Sequence, residues 1–83
     1  MYKLTIQEEA LKNLETYPAK TFKQIAIRLL KLSQNPRPSG YIQLKGGQGY
    51  RVRSGEYRIL YTIDDSEQTV DVYRIDHRKD VYE

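Results

Sequence analysis

The spacing of apolar and polar positions changes repeatedly along this chain, and each change marks an element. Residues 2–6 read Tyr, Lys, Leu, Thr, Ile, the alternation of a half-buried strand. From Gln7 the period lengthens. Ala10, Leu11 and Leu14 fall on one face of a helix that must end before Pro18. A second helix starts near Pro18, a residue tolerated in a first turn, with Phe22, Ile25, Ala26, Leu29 and Leu32 as its apolar stripe. Ile27 and Leu30 lie off that stripe; packing against the first helix is the expected use of them, and a partner surface is the other. Asn35-Pro36-Arg37-Pro38-Ser39-Gly40 stops the helix sharply.

Residues 41–45 suit a short strand, and Gly46-Gly47-Gln48-Gly49 a flexible loop. That glycine run lacks the lysine and hydroxyl of a P-loop and opens no helix, so it predicts no nucleotide site. Residues 50–53 and 57–63 read as a hairpin with a tight turn at Ser54-Gly55. A polar turn covers residues 64–68, a last strand residues 69–75, and a basic-aromatic tail residues 76–83. The order strand, helical hairpin, strands predicts an α+β fold. The N-terminal strand and the later antiparallel strands would form a small, mainly antiparallel sheet, with both helices on one face. The chain, residues 1–83, is expected to be one domain.

Strand alternation also sorts the hairpin chemically. Tyr50 and Val52 point to one face, and Arg51 and Arg53 to the other, which the helices leave open. Arg58 adds a guanidinium after the turn. It is the arginine hardest to explain as structure, because a charge within an otherwise apolar strand is costly without a use. Arginine presents a planar fork of donors matched to phosphate and stays charged at physiological pH. The bland alternative is that a small domain simply needs surface charge.

Overall charge adds little: 14 basic against 11 acidic residues leave a formal +3. Its distribution says more, since Lys45, Arg51, Arg53 and Arg58 face only Glu56 within residues 45–58. The chain has no cysteine, which excludes disulfides, thiolate metal sites and a cysteine nucleophile. A lone histidine, His77, makes a nitrogen-ligated metal site improbable, so no metal and no cofactor are expected. The first residues show no secretory signal, and no apolar run reaches the roughly 20 residues of a bilayer span. A cytoplasmic location is therefore expected.

Four segments carry a resemblance: Asn35-Pro36-Arg37-Pro38; Leu44-Lys45-Gly46; Tyr50-Arg51-Val52-Arg53-Ser54-Gly55-Glu56-Tyr57-Arg58; and Ile75-Asp76-His77-Arg78-Lys79-Asp80-Val81-Tyr82. In this order and spacing the chain resembles the RelE/ParE superfamily of bacterial toxins, and the RelE branch more than the ParE branch. The resemblance implies a microbial-ribonuclease-like fold. It also implies ribosome-dependent cutting of messenger RNA in the A site, and neutralisation by a cognate antitoxin. Matched position by position, the catalytic group becomes Arg51, Arg53, Arg58, Arg78 and Tyr82, with His77 beside it. Lys45, Arg51, Arg53 and Lys79 become RNA contacts. Two alternatives remain open: a ParE-like gyrase inhibitor that acts by binding alone, and an inactive relative that binds only antitoxin or RNA.

Cutting RNA by attack of its own 2′-hydroxyl needs a base for that hydroxyl, positive charge for the phosphorane and an acid for the leaving 5′-oxygen. Guanidiniums serve the middle role well and the first badly, because they do not readily lose a proton. Some relatives carry lysines where this chain has Arg51 and Arg53, so the proton acceptor is open. His77 is one candidate, since its ordinary pKa lies near neutrality, and Glu56 is another. Each has a structural reading as well. His77 can be a turn residue, Glu56 a counter-charge, and Tyr82 an anchor for the tail. Tyr57 and Tyr61 are expected in the core, while Tyr41 and Tyr73 are possible stacking platforms.

Overall fold

A computed structural model describes residues 1–77. In chain order the elements are β1 (Lys3–Ile6), α1 (Glu8–Glu15), α2 (Ala19–Gln34), β2 (Ile42–Gln43), β3 (Tyr50–Ser54), β4 (Tyr57–Asp64) and β5 (Thr69–His77), with a 3-10 turn at Lys45–Gly47. The strands make a five-stranded sheet in the order β1-β5-β4-β3-β2. Every pairing is antiparallel except β1 with β5. That parallel pair places the first strand beside the last, and the helical hairpin bridges them over one face. The predicted α+β layout is the observed one.

The core lies between α2 and the sheet. Ile25, Leu29 and Leu32 from α2 meet Val52, Ile59, Tyr61, Val70, Val72 and Ile75, all nearly inaccessible to water. Burial of this kind stabilises by roughly 1.5–3 kcal/mol per large apolar side chain. Ala10 and Leu14 extend the core from α1.

The helix α1 has a second task. β1 covers only Thr69–Val72 of β5, so the remaining edge of β5 would be exposed. The chain instead turns into α1 along that edge. The Gln7 N–H donates to the Val72 carbonyl at 2.8 Å, and Asn13 Nδ2 to the Ile75 carbonyl at 3.0 Å. Two carbonyls of that strand edge thereby gain donors.

Several expectations shift. The hairpin loop is Gly55 and Glu56, since Ser54 still pairs with Tyr57. Gly55 supplies the positive φ, +61°, that a two-residue hairpin loop requires. β5 runs on to His77, so Asp76 and His77 belong to a strand and not to a tail. Ile27 and Leu30 do not pack against α1; they stand 46% and 62% exposed on the outer side of α2. Leu11 and Phe22, expected inside, are each 40% exposed. The cause is shared. With α1 spread along the β5 edge, α2 packs chiefly on the sheet and buries only a narrow stripe.

Candidate functional site

The open sheet face is built from the register. Arg53, Arg58 and Asp76 form one row across β3, β4 and β5, and Arg51, Leu60 and Arg74 form the next. Members of a row share a face, and rows two residues apart share it too. Arg51, Arg53, Arg58 and Arg74 therefore converge on the side away from the core, with buried Leu60 beneath the second row. The expected grouping of Arg51, Arg53 and Arg58 is present.

A bulge makes this possible. β5 loses register where Leu60 opposes Arg74 while Tyr61 opposes Val72, leaving Tyr73 as the extra residue. Before the bulge the even positions, Val70 and Val72, face the core. After it the odd positions, Ile75 and His77, do so, and Arg74 and Asp76 turn outward.

Arg58 is anchored. Its Nε donates to Asp76 Oδ1 at 3.2 Å and its Nη2 to Asp76 Oδ2 at 3.3 Å. Arg74 Nε donates to the same Oδ2 at 2.6 Å. The Asp76 side chain is only 4% exposed and that of Arg58 15%, so this pair is largely removed from solvent. Arg74 is half exposed and closes the far side. A buried carboxylate is tolerable here because guanidiniums satisfy both its oxygens. Asp76 and Arg74 were absent from the sequence reading of the site. The available signal was an acid lying between the apolar Ile75 and the aromatic-basic end of a strand.

His77 is not brought to the arginines. It pairs with Tyr57 across the strands, on the core side. Its ring stands edge-on to Tyr57 with centroids 4.9 Å apart, and Tyr57 in turn meets Tyr17 at 4.6 Å. Glu56 lies exposed in the hairpin loop. Lys45 is exposed in the 3-10 turn, whose following loop is fixed by Tyr73 donating its hydroxyl to the Gln48 carbonyl at 2.7 Å. Gly49, at φ +92°, sits so close to the Tyr61 carbonyl that any Cβ would collide with it. Arg78, Lys79 and Tyr82 lie outside the described residues.

A second aromatic-cation group lies away from these arginines. Arg37 clamps Asp65 through two bonds of 3.2 and 3.0 Å, and Tyr2 donates its hydroxyl to the same carboxylate at 2.7 Å. These donors hold the Asp65 carboxyl below the usual range. The Arg37 guanidinium also stacks 5.5 Å from the Tyr50 ring centroid, and Tyr50 leans on Tyr61. Tyr41 packs against Tyr50, which takes up the exposed ring considered above for stacking.

Residues 4–82 match the family described as ParE toxin of type II toxin-antitoxin system, parDE. The chain belongs to the RelE/ParE superfamily of type II toxins. Solved members share its architecture. The toxin-antitoxin complex RelBE2 of Mycobacterium tuberculosis aligns at TM-score 0.81 and 29% identity, covering 93% of this chain and 98% of that one. The isolated RelE toxin of E. coli aligns at TM-score 0.79 and 25% identity, covering 93% and 84%. Over 33 residues the chain is 52% identical to Toxin RelG of M. tuberculosis. That segment is 40% of this chain and 38% of RelG, so the chain matches well under half of that relative's length. Within the superfamily these relatives carry the names RelE, RelBE2 and RelG. Among the described residues no helix is long and apolar enough to cross a membrane, and no group of acidic, histidine or cysteine side chains could hold a metal ion.

Proposed function

We propose that this toxin is a ribosome-dependent endoribonuclease that cuts messenger RNA in the A site and stops translation in the cytoplasm. The carrying observation is the convergence of Arg51, Arg53 and Arg58 on one rigid sheet face, with Arg58 fixed by a buried carboxylate. Arg51 and Arg53 hold the phosphates flanking the cut. Arg58 faces the scissile phosphate and stabilises the charge that develops as the 2′-oxygen attacks. Arg78 and Lys79 bind phosphate, Tyr82 orients the nucleotide at the cut, and Lys45 holds a more distant phosphate.

Catalysis then rests mainly on position and charge, and no cofactor takes part. The ribosome supplies orientation, which accounts for a large share of most barriers. His77 points to the core side, which weakens its claim to the proton. The acceptor is then Glu56, the substrate or the ribosome. RelBE2 of M. tuberculosis and the intact RelBE of E. coli are toxin-antitoxin complexes. By analogy a cognate antitoxin covers the arginine face and holds this chain inactive.

One observation favours a second reading. The matched family description is that of ParE toxins, so inhibition of DNA gyrase by binding alone is the alternative. Primer extension on messages from cells expressing the chain separates the two. Cuts at codon-related positions in translated messages are expected. A DNA damage response with intact messages would replace the ribonuclease reading with the gyrase one.

A further inference from the structure

We infer that Asp76 is the positioning residue of the site: it acts through Arg58, presenting one edge of that guanidinium to the scissile phosphate. This rests on the ribonuclease reading and deepens it.

A guanidinium has five N–H donors arranged in edges. Asp76 takes Arg58 Nε and one hydrogen of Nη2, which is the side edge. The end edge, formed by Nη1 and the second hydrogen of Nη2, is left for a second oxyanion. A side chain fixed along one edge can therefore grip phosphate with the other and lose little freedom in doing so. Asp76 also meets an electrostatic need. Arg53 and Arg58 are direct cross-strand partners, and like charges facing each other push apart. Asp76 lies on the other side of Arg58 in the same row and draws it back.

Asp76 is poorly built to be the base itself. Oδ1 is held by Arg58, and Oδ2 is shared between Arg58 and Arg74. At 4% exposure the lone pair left on Oδ1 is shielded from a 2′-hydroxyl. The carboxylate therefore shapes the site without touching the RNA.

The test joins a rate to a spectroscopic signature. In single-turnover cutting on programmed ribosomes, Asp76→Asn is expected to cut about 10²-fold more slowly, the scale of a small misplacement of a catalytic group. The shape of its pH profile should match that of the unaltered toxin. Because Asp76 acts through Arg58, adding Asp76→Asn to Arg58→Ala should cost nothing further. In the NMR spectrum the Arg58 Nε–H of the unaltered toxin should be ordered and slow to exchange, unlike that of exposed Arg53, and this contrast needs no variant to fold. Loss of a titrating limb in Asp76→Asn, additive losses in the double variant, or equal mobility of Arg58 and Arg53 would each overturn the inference. Undiminished cutting by Asp76→Asn would overturn it while leaving the ribonuclease reading standing. An unaltered toxin that never cuts on ribosomes would overturn both.

Discussion

Two polar side chains, buried Tyr61 and half-buried Arg58, illustrate what can be expected of single residues here. Tyr61 is fully enclosed, yet its hydroxyl donates to the carbonyl of buried Pro36 at 2.6 Å, tying β4 to the loop after α2. Tyr61→Phe leaves that carbonyl without its partner and should cost about 1–3 kcal/mol, read as a lower denaturant midpoint at unchanged slope. Burial pushes the Tyr61 pKa up to about 12. A folded value above the unfolded value of about 10 means that its contribution is complete below pH 10. It is lost as pH climbs through 12, so alkaline unfolding should overlap the ionisation of this tyrosine in a spectrophotometric titration. Arg58 carries the functional prediction. Arg58→Ala should lower cutting by about 10²–10³-fold and relieve growth inhibition, with antitoxin binding retained. A folded variant of full toxicity would remove Arg58 from the site. The arginines were legible in the sequence because charged residues at strand spacing have few structural uses. Asp76 was not, because a single carboxylate becomes meaningful only beside the cation opposite it.

Among the elements, α2 offers the cleanest contrast. Ile25 and Leu29 are buried, while Ile27 and Leu30 stand exposed one or two positions away. Ile25→Ala or Leu29→Ala should cost about 2–5 kcal/mol. Ile27→Ser and Leu30→Ser should stay within about 0.5 kcal/mol, because they leave no cavity. Urea unfolding of the four variants checks this, and a large loss at Leu30 would mean that α2 is packed on both sides. Helical periodicity revealed the buried stripe but could not tell whether the off-stripe residues had a neighbour. In β5 the same limit took another form. Alternation carried straight on from Val70 and Val72 would place His77 on the arginine face and Asp76 in the core. The extra residue Tyr73 reverses that parity, and period-two reasoning has no way to sense an inserted residue.

Across the whole molecule, charge is segregated. Residues 16–55 contain eight basic side chains and no acidic one, so the acids that balance them come from both ends of the chain. One such contact is the clamp of Arg37 and Tyr2 on Asp65, which joins the start of β1, the loop after α2 and the β4–β5 turn. Asp65 is held below the usual carboxylate range by its two donors. Its contribution is therefore present above the unfolded pKa of about 4 and lost as pH falls through the lower folded value. Thermal melts from neutral to acid pH should show Asp65→Asn losing less stability on acidification than the unaltered chain. The difference should shrink in high salt, because the clamp is exposed. Equal acid sensitivity would show that the clamp does not contribute.

By itself the sequence determined the class of elements, their order, the α+β layering and the strand that carries Arg51 and Arg53. These follow from local spacing, from proline and glycine punctuation, and from the alternation of a pleated chain. The tertiary structure alone decided which arginines share a face with which carboxylate, which side His77 takes, and which apolar residues of α2 find cover. Each of these depends on a contact between segments far apart in the chain: β5 against β4 with its bulge, and α1 along the β5 edge. Local periodicity carries no record of cross-strand register, and register is what turns a row of charged residues into a site.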